Sequence, residues 1–336
     1  MRKVFIILAV LLQILVLGYM AGEREYILRN GRIIYLRTAP IDPRDLFRGD
    51  YVRLNYEISS IPASDLPRDD TAGITKGEKL YVILKEGSSG LYDLDRISTI
   101  EPQAGLYLVG RSPYNYRHQQ PGYPLRLNYG IEAYFVQQGK GRRIEQRQGN
   151  RNQLQVPLEM QIAVGRNGKA VIKSHRWSPL GIGLKVLRTP PANPQSQTGA
   201  LSAKVALTLA NASDAPLALV LQPDDCSFSL ETTLSARKAW DLVNNPCESF
   251  QPVDDDVLIL QPGAEKIVEF DFSDPRWFVR AENTAPVEIG TLDWSEQFRL
   301  VYRPPDESAT SHLEDRDLIW HGYLPSRAFH GRGRID

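Results

Sequence analysis

Hydrophobic and polar positions divide this chain into one unbroken apolar run and a long alternating remainder. Val4 to Met20 is apolar apart from Gln13, and it follows Arg2 and Lys3. About 17 residues of helix reach roughly 26 Å, close to the ~30 Å hydrocarbon core of a bilayer. Positive charge precedes the run, whereas Glu23, Arg24 and Glu25 follow it with mixed sign. The positive-inside rule therefore predicts a cytoplasmic N-terminus, with everything after Gly22 across the membrane. The competing reading is a cleaved signal peptide, which needs small residues one and three positions before the cut. Tyr19 and Val16 fill the second of those positions for cuts after Ala21 and Gly18, so the pattern favours a retained anchor over residues 1–22. No cysteine follows the run, which excludes a lipoprotein anchor.

Beyond the anchor, helical periodicity nearly vanishes. Short runs rich in Val, Ile, Leu and Tyr alternate with Gly, Pro, Asn and Asp clusters, the pattern of antiparallel β structure. Strands are predicted at Tyr26–Arg37, Tyr51–Ile58, Lys79–Lys85, Tyr92–Ile97, Leu106–Arg111, Arg126–Val136, Gln155–Val164, Lys169–Lys173 and Gly183–Leu187. Asn167-Gly168 reads as a two-residue hairpin turn. Residues 189–199 hold three prolines among small polar residues and read as an interdomain linker. Further strands are predicted at Leu201–Ala210, Pro216–Leu221, Ser227–Glu231, Val257–Leu260, Lys266–Phe272, Val287–Leu292, Gln297–Tyr302 and Leu318–Tyr323, with a short helix at Ser235–Val243. The expected fold is mainly β: the anchor, an antiparallel β domain over 26–188, and a β-sandwich over 200–336.

Charge adds an exclusion. Lys plus Arg and Asp plus Glu balance at 40 each, so a basic stripe for nucleic acid is absent. The two cysteines, Cys226 and Cys247, are expected to form one disulfide in an oxidising compartment, worth about 3 kcal/mol on the chain-entropy model. Free thiols or half of a metal site are the alternatives, although no CxxC or His cluster accompanies them.

One tetrapeptide occurs twice. Arg53-Leu54-Asn55-Tyr56 returns as Arg126-Leu127-Asn128-Tyr129, Ile34-Tyr35-Leu36 parallels Leu106-Tyr107-Leu108, and Pro40 and Gly49 parallel Pro113 and Gly122, at an offset of 72 or 73 residues. Chance reuse of strand and turn residues is one reading. A pseudo-twofold β domain made of two strand–loop–strand units is the other.

The stretch Arg37–Ser59 contains Gly49-Asp50-Tyr51-Val52-Arg53-Leu54-Asn55-Tyr56. This run resembles the signature of the GDYXXLXY family. Tyr129–Val136 is similar to that family's second shared block, and Asn167–Lys173 to its closing hairpin. The resemblance covers roughly residues 1–188. It implies an anchored extracytoplasmic β domain, often found with multi-span membrane proteins, and no established activity. In physical terms, Val52, Leu54, Tyr56 and Ile58 alternate with Arg53, Asn55 and Glu57, so one face of the strand is buried. Asp42, Arg44, Asp45, Arg48, Asp50, Arg53 and Glu57 are a dense mixed-charge stretch. They either lock the loop against the sheet or, with Asp45, Arg48, Asp50 and Arg53 foremost, offer a partner surface near the bilayer.

Other candidate chemistry is sparse. Leu46-x-x-Gly49-Asp50-x-Val52 is also similar to the strand entry of signal-peptidase-like serine proteases. Ile41 stands where the serine belongs, and Lys79 or Lys85 as a base has no nucleophile to activate. The polar, aromatic segment Tyr114–Tyr123, with Tyr116, His118 and Tyr123, either packs on the sheet or stacks on a sugar or peptide. His312, Glu314, Asp315, Asp317 and His321 are close in sequence but lack helical ligand spacing, so a solvated loop is expected rather than a metal site. Neither a Gly-rich phosphate loop nor GxSxG occurs, and no catalytic set, metal or cofactor is predicted. The segments Val205–Asn211, Leu260–Gly263, Phe298–Arg303 and Trp320–Ser326 look like immunoglobulin-like accessory domains of exported bacterial proteins. Trp240, Trp277, Trp294 and Trp320 are expected to be packing residues there.

The sequence thus predicts a single-pass inner-membrane protein with its bulk in the periplasm. Residues 4–20 would contact lipid, and a multi-span inner-membrane protein is the expected partner. A non-enzymatic accessory role leads. An envelope glycan- or peptide-binding module, and a hydrolase with an unrecognised site, are the alternatives.

Overall fold

A computed structural model describes residues 2–38, 51–61, 66, 73–87, 90–117, 124–137, 144, 147, 154–189, 202–233, 240–243, 251–281 and 284–335. Helix α1 spans Arg2–Asn30. It is long and apolar enough to cross a membrane. Its large apolar side chains from Val4 to Met20 lie 49–71% exposed.

The helix runs further than the alternation at Tyr26–Arg37 predicted, and the strand begins only at Arg32. Residues 23–29 are tolerant of helix, and Glu25 and Arg29 pair across one turn at 2.6 Å. Ile27 is buried, and the Gly31 N–H closes the last turn onto the Ile27 carbonyl at 2.7 Å. A Cβ at Gly31 would lie 2.5 Å from that carbonyl oxygen, so only glycine turns the chain there without displacement. The helix end is seated on the following domain. Glu23 accepts from Lys169 at 2.6 Å, and Ile27 lies against Gly165.

Ten strands build the first β unit. They are β1 (Arg32–Arg37), β2 (Tyr51–Arg53), β3 (Ser60–Ile61), β4 (Lys79–Glu86), β5 (Tyr92–Ser98), β6 (Leu106–Arg111), β7 (Leu125–Arg126), β8 (Ala133–Phe135), β9 (Leu158–Val164) and β10 (Ala170–Trp177). Their pairing is that of a duplication. One sheet has the order β1-β9-β10 and another β6-β4-β5, while β2 pairs β8 and β7 pairs β3. Advancing β1–β5 by one copy gives β6–β10 and reproduces every one of these pairs. The register agrees too: Arg53↔Ala133 becomes Arg126↔Ser60, and Val52↔Tyr134 becomes Leu125↔Ile61, both at 73 residues. The hairpins correspond as well. The Gly87 N–H donates to the Leu91 carbonyl at 2.8 Å, as Gly165 does to Lys169 at 2.9 Å, and Gly90 and Gly168 have φ of +72° and +70°. Among the described turn residues there, Gly168 alone is left-handed, so Asn167-Gly168 is not the two-residue turn its sequence suggested.

Each three-stranded sheet therefore takes its outer strand from one copy and its hairpin from the other. Leu36, Val52, Leu54, Tyr56, Val82, Leu108, Leu127, Tyr129 and Met160 meet in a single shared core.

The second unit holds β11 (Leu180–Arg188), β12 (Lys204–Asn211), β13 (Leu217–Val220), β14 (Phe228–Thr232), β15 (Asp241–Leu242), β16 (Val257–Leu260), β17 (Glu265–Asp271), β18 (Val279–Arg280), β19 (Gln297–Tyr302), β20 (Leu324–Pro325) and β21 (Phe329–His330). The sheets are β11-β12-β17, β14-β19-β20 with β21 also on β19, β13-β16 and β15-β18, all antiparallel. Phe228, Phe270, Phe272, Trp277, Phe298, Tyr302 and Phe329 form the centre of its core. Trp240, Trp277 and Trp320 are buried, whereas Trp294 is half exposed and lies tilted against His330, with ring centres 4.2 Å apart.

Two expectations change here. The predicted domain over 26–188 includes the strand Gly183–Leu187, but β11 pairs with β12 from Leu180↔Asn211 onward, and Leu180, Ile182 and Leu184 belong to the second core. The change of core therefore falls just before Leu180, ahead of the proline-rich tract, which lies almost wholly outside the described residues. In the proposed helix Ser235–Val243, residues Asp241–Leu242 are instead strand, while 234–239 lie outside the described set.

Candidate functional site: a charged seam between the two units

Asp45, Arg48, Gly49, Asp50 and Tyr123 lie outside the described residues, as do His118 and Cys247. Of the GDY motif, Tyr51 begins β2, Leu54 and Tyr56 are buried in the shared core, and Arg53 is exposed on β2. Tyr116 is only 5% exposed and bridges Ile74, with mutual backbone bonds of 2.7 and 2.9 Å. It is a core residue, so it offers no stacking face to a sugar or peptide. Its apolar ring outweighs the polar residues around it.

Lys79 and Lys85 are both exposed. His312 and His321 contact the backbone carbonyls of Pro252 and Pro305, each at 3.0 Å, and among the described residues no group of His, Cys, Asp and Glu is arranged to hold a metal. No thiol is free among the described residues.

The sequence reading did not foresee a concentration of buried charge where the two units meet. Strand β1 delivers Arg37 to this seam, with its side chain 6% exposed. The Nη1 group donates to the backbone carbonyl of Tyr323, and the guanidinium lies 5.7 Å from the centre of the Tyr323 ring. Nη2 is 3.7 Å from Glu159, a carboxylate 2% exposed on β9. Glu159 is held more tightly by Arg176 of β10, at 2.6 Å, and Arg176 in turn stacks over Tyr35 at 3.7 Å.

On the other side, Tyr323 donates to Glu231 at 2.9 Å, and Arg303 donates to the second Glu231 oxygen at 2.8 Å. Burial, reinforced by Glu231, pushes the Tyr323 phenol far above its ordinary range. The main chain crosses the seam as well, where Gln155 and Ile182 exchange two 2.8 Å backbone bonds.

Glu57 enters the same seam from the turn after the motif. Burial raises its carboxyl pKa. Arg37 and Arg299 pull the other way, and Asp93 and Glu231 add to the rise. The residue as a whole is half-buried and lines the cleft between the units, beside Arg37 and Arg299.

Arg37, Glu159 and Arg299 share a weak sequence signal. Glu159 and Arg299 are lone charges in the largely apolar strands LEMQIAV and QFRLVY, and Arg37 closes RIIYLR, whose other charge, Arg32, is at the opposite end. Local alternation assigns such residues to a solvent face. At the seam, Arg37 and Glu159 are instead buried and Arg299 is half-buried.

Residues 13–174 match the family described as GDYXXLXY protein. That span begins within α1 and ends within β10, so it contains the duplicated unit and stops before β11. No curated protein and no solved structure matches the chain.

Proposed function

Through residues 13–174 this chain belongs to the GDYXXLXY family of uncharacterised proteins, and we propose that it is a single-span, extracytoplasmic accessory subunit of an inner-membrane assembly. The observation that carries this reading is the junction at Glu23–Gly31. An apolar helix with no protein cover continues without a break into the first β unit, and Glu23 and Ile27 pin it to the β9–β10 hairpin. Large exposed apolar surface needs a non-aqueous partner, and lipid satisfies it here. Arg2 and Lys3 favour a cytoplasmic N-terminus.

In this reading the duplicated unit rests at the bilayer surface. Asp45, Arg48, Asp50 and Arg53 face a multi-span partner, and the second, immunoglobulin-like unit extends the reach. An oxidising compartment also suits a Cys226–Cys247 disulfide. The role is one of holding and spacing.

The test is a pull-down of the intact chain from native membranes in mild detergent, with N-terminal peptide mapping of the recovered protein. A stoichiometric multi-span partner and an uncut N-terminus support the proposal. Recovery of a chain trimmed near Ala21, or of the chain alone, removes it.

A further inference from the structure

The seam holds a partly open cleft of about 30 Å³, walled on one side by Val156 and Leu158 and on the other by Ile182 and Pro325. Four nitrogens of its polar lining are buried without a hydrogen-bond partner: Nε and Nη2 of Arg37, Nε2 of Gln155 and Nε of Arg299. All four are donors. Buried donors left unmet are destabilising, so the site as built lacks acceptors.

A space of this size holds one or two waters, and each water accepts only two bonds while bringing two protons that need acceptors of their own. A carboxylate brings about four lone-pair positions and no proton. It also matches the planar fork of arginine. Charge points the same way. Arg37, Arg176 and Arg299 carry three positive charges against the carboxyls of Glu57 and Glu159, while Glu231 is held by Arg303, so one positive charge is left over.

We propose that the seam is a binding site for a carboxylate group, clamped between Arg37 of the first unit and Arg299 of the second. Gln155 donates a further bond, and the apolar walls take the adjoining carbon. The bound group bridges the two units, so ligand binding also ties them together. Glu57 is the internal competitor, because its carboxyl occupies the same positive field. The site does not depend on membrane anchoring or on a protein partner.

The test uses the full chain in detergent and ¹³C-acetate, with line broadening followed against concentration and chloride as the control anion. Saturable broadening that chloride does not displace is expected. Arg299→Met removes a charge-assisted bond and should weaken binding about tenfold or more. Glu57→Gln removes the competitor and should tighten it. Opposite effects of these two substitutions are not expected of a purely structural cluster. Should Arg299→Met fail to fold, Gln155→Leu replaces it, with weaker binding expected. A second arm compares a short peptide with a free C-terminus against its amidated form. Acetate binding alone assigns the site to small acids, and discrimination by the peptide pair assigns it to a chain terminus. Absence of saturable binding in both arms, or equal binding by wild type and a folded Arg299→Met, overturns the proposal.

Discussion

Tyr56 and Tyr129 are exchanged by the internal symmetry of the first unit. The Tyr56 hydroxyl donates to the carbonyl of Ile131 at 2.9 Å, and the Tyr129 hydroxyl donates to the carbonyl of Ile58 at 2.5 Å. Each tyrosine thus reaches the residue two places beyond its own counterpart. The backbone repeats the relation: the Leu54 N–H donates to the Glu132 carbonyl at 2.8 Å, and Leu127 to Ser59 at 2.9 Å. These four bonds join the two copies of the RLNY motif across one pseudo-twofold axis.

Equivalent positions should respond equally. Tyr56→Phe and Tyr129→Phe each remove one buried hydroxyl and leave a carbonyl unmatched, at a cost of about 1–2 kcal/mol. Chemical denaturation of the two variants, followed by tryptophan fluorescence, should give losses that agree closely. A large loss in one and none in the other would argue against equivalence of the two hydrogen bonds.

Because each sheet mixes strands of both copies, the halves cannot fold apart. Coexpression of two fragments divided in the 99–105 turn between β5 and β6 should yield a copurifying pair, with each fragment alone insoluble. Soluble, monomeric fragments would rule out the exchanged-strand arrangement.

The seat of the helix depends on a missing side chain. A Cβ at Gly165 would sit 2.9 Å from Asn167 Oδ1 and 3.1 Å from Ile27 Cγ1. Gly165→Leu should therefore lift α1 from the hairpin. Spin labels at the exposed positions Arg24 and Lys173 should report one narrow distance in the parent and a broad one in the variant. Two indistinguishable narrow distributions would show that the contact does not hold the helix.

Glu57 predicts a dependence on pH. Its folded pKa lies above its unfolded value, because burial outweighs Arg37 and Arg299, with Asp93 and Glu231 acting in the same direction as burial. Its contribution is fully present below the ordinary carboxylate pKa, near 4, and is lost as pH rises through the folded value. Glu57→Gln should gain on the parent in melting temperature as pH rises from about 4, from near equality at the acid end. A constant difference across the range would contradict the assignment.

Much of this fold was legible because its signals are local. The apolar run of α1, the alternation in β4, β9 and β12, and the recurrence of RLNY all stand in the sequence as periodicity or identity. What failed was non-local. The RLNY repeat indicates two copies, but no local pattern states that β1 pairs with β9 of the other copy rather than with a strand of its own. Tyr26–Leu28 are residues that strands accept, yet they join the helix, where Ile27 is buried against Gly165. The proline-rich tract resembled a boundary, whereas β11 had already crossed into the second core through its pairing with β12. Tyr116 sits in a polar, aromatic segment whose local pattern fits both packing and stacking, and only its pairing with Ile74 and its place in the core decide for packing. Arg37, Glu159 and Arg299 obeyed strand alternation, yet Arg37 and Glu159 are buried and Arg299 is half-buried with an enclosed Nε, since the face that alternation assigns to water is covered at the seam.

Helix α1 enters the first β unit at Gly31 with its last turns already fastened to the β9–β10 hairpin. In a bilayer, a span of fixed length answers a change in hydrocarbon thickness by tilting. With the helix end bound to the hairpin, the β unit leans by the same angle, and its outer parts move furthest. A retained, membrane-spanning α1 would act as a lever rather than a tether, and membrane thickness would become a mechanical input to whatever the outer surfaces hold.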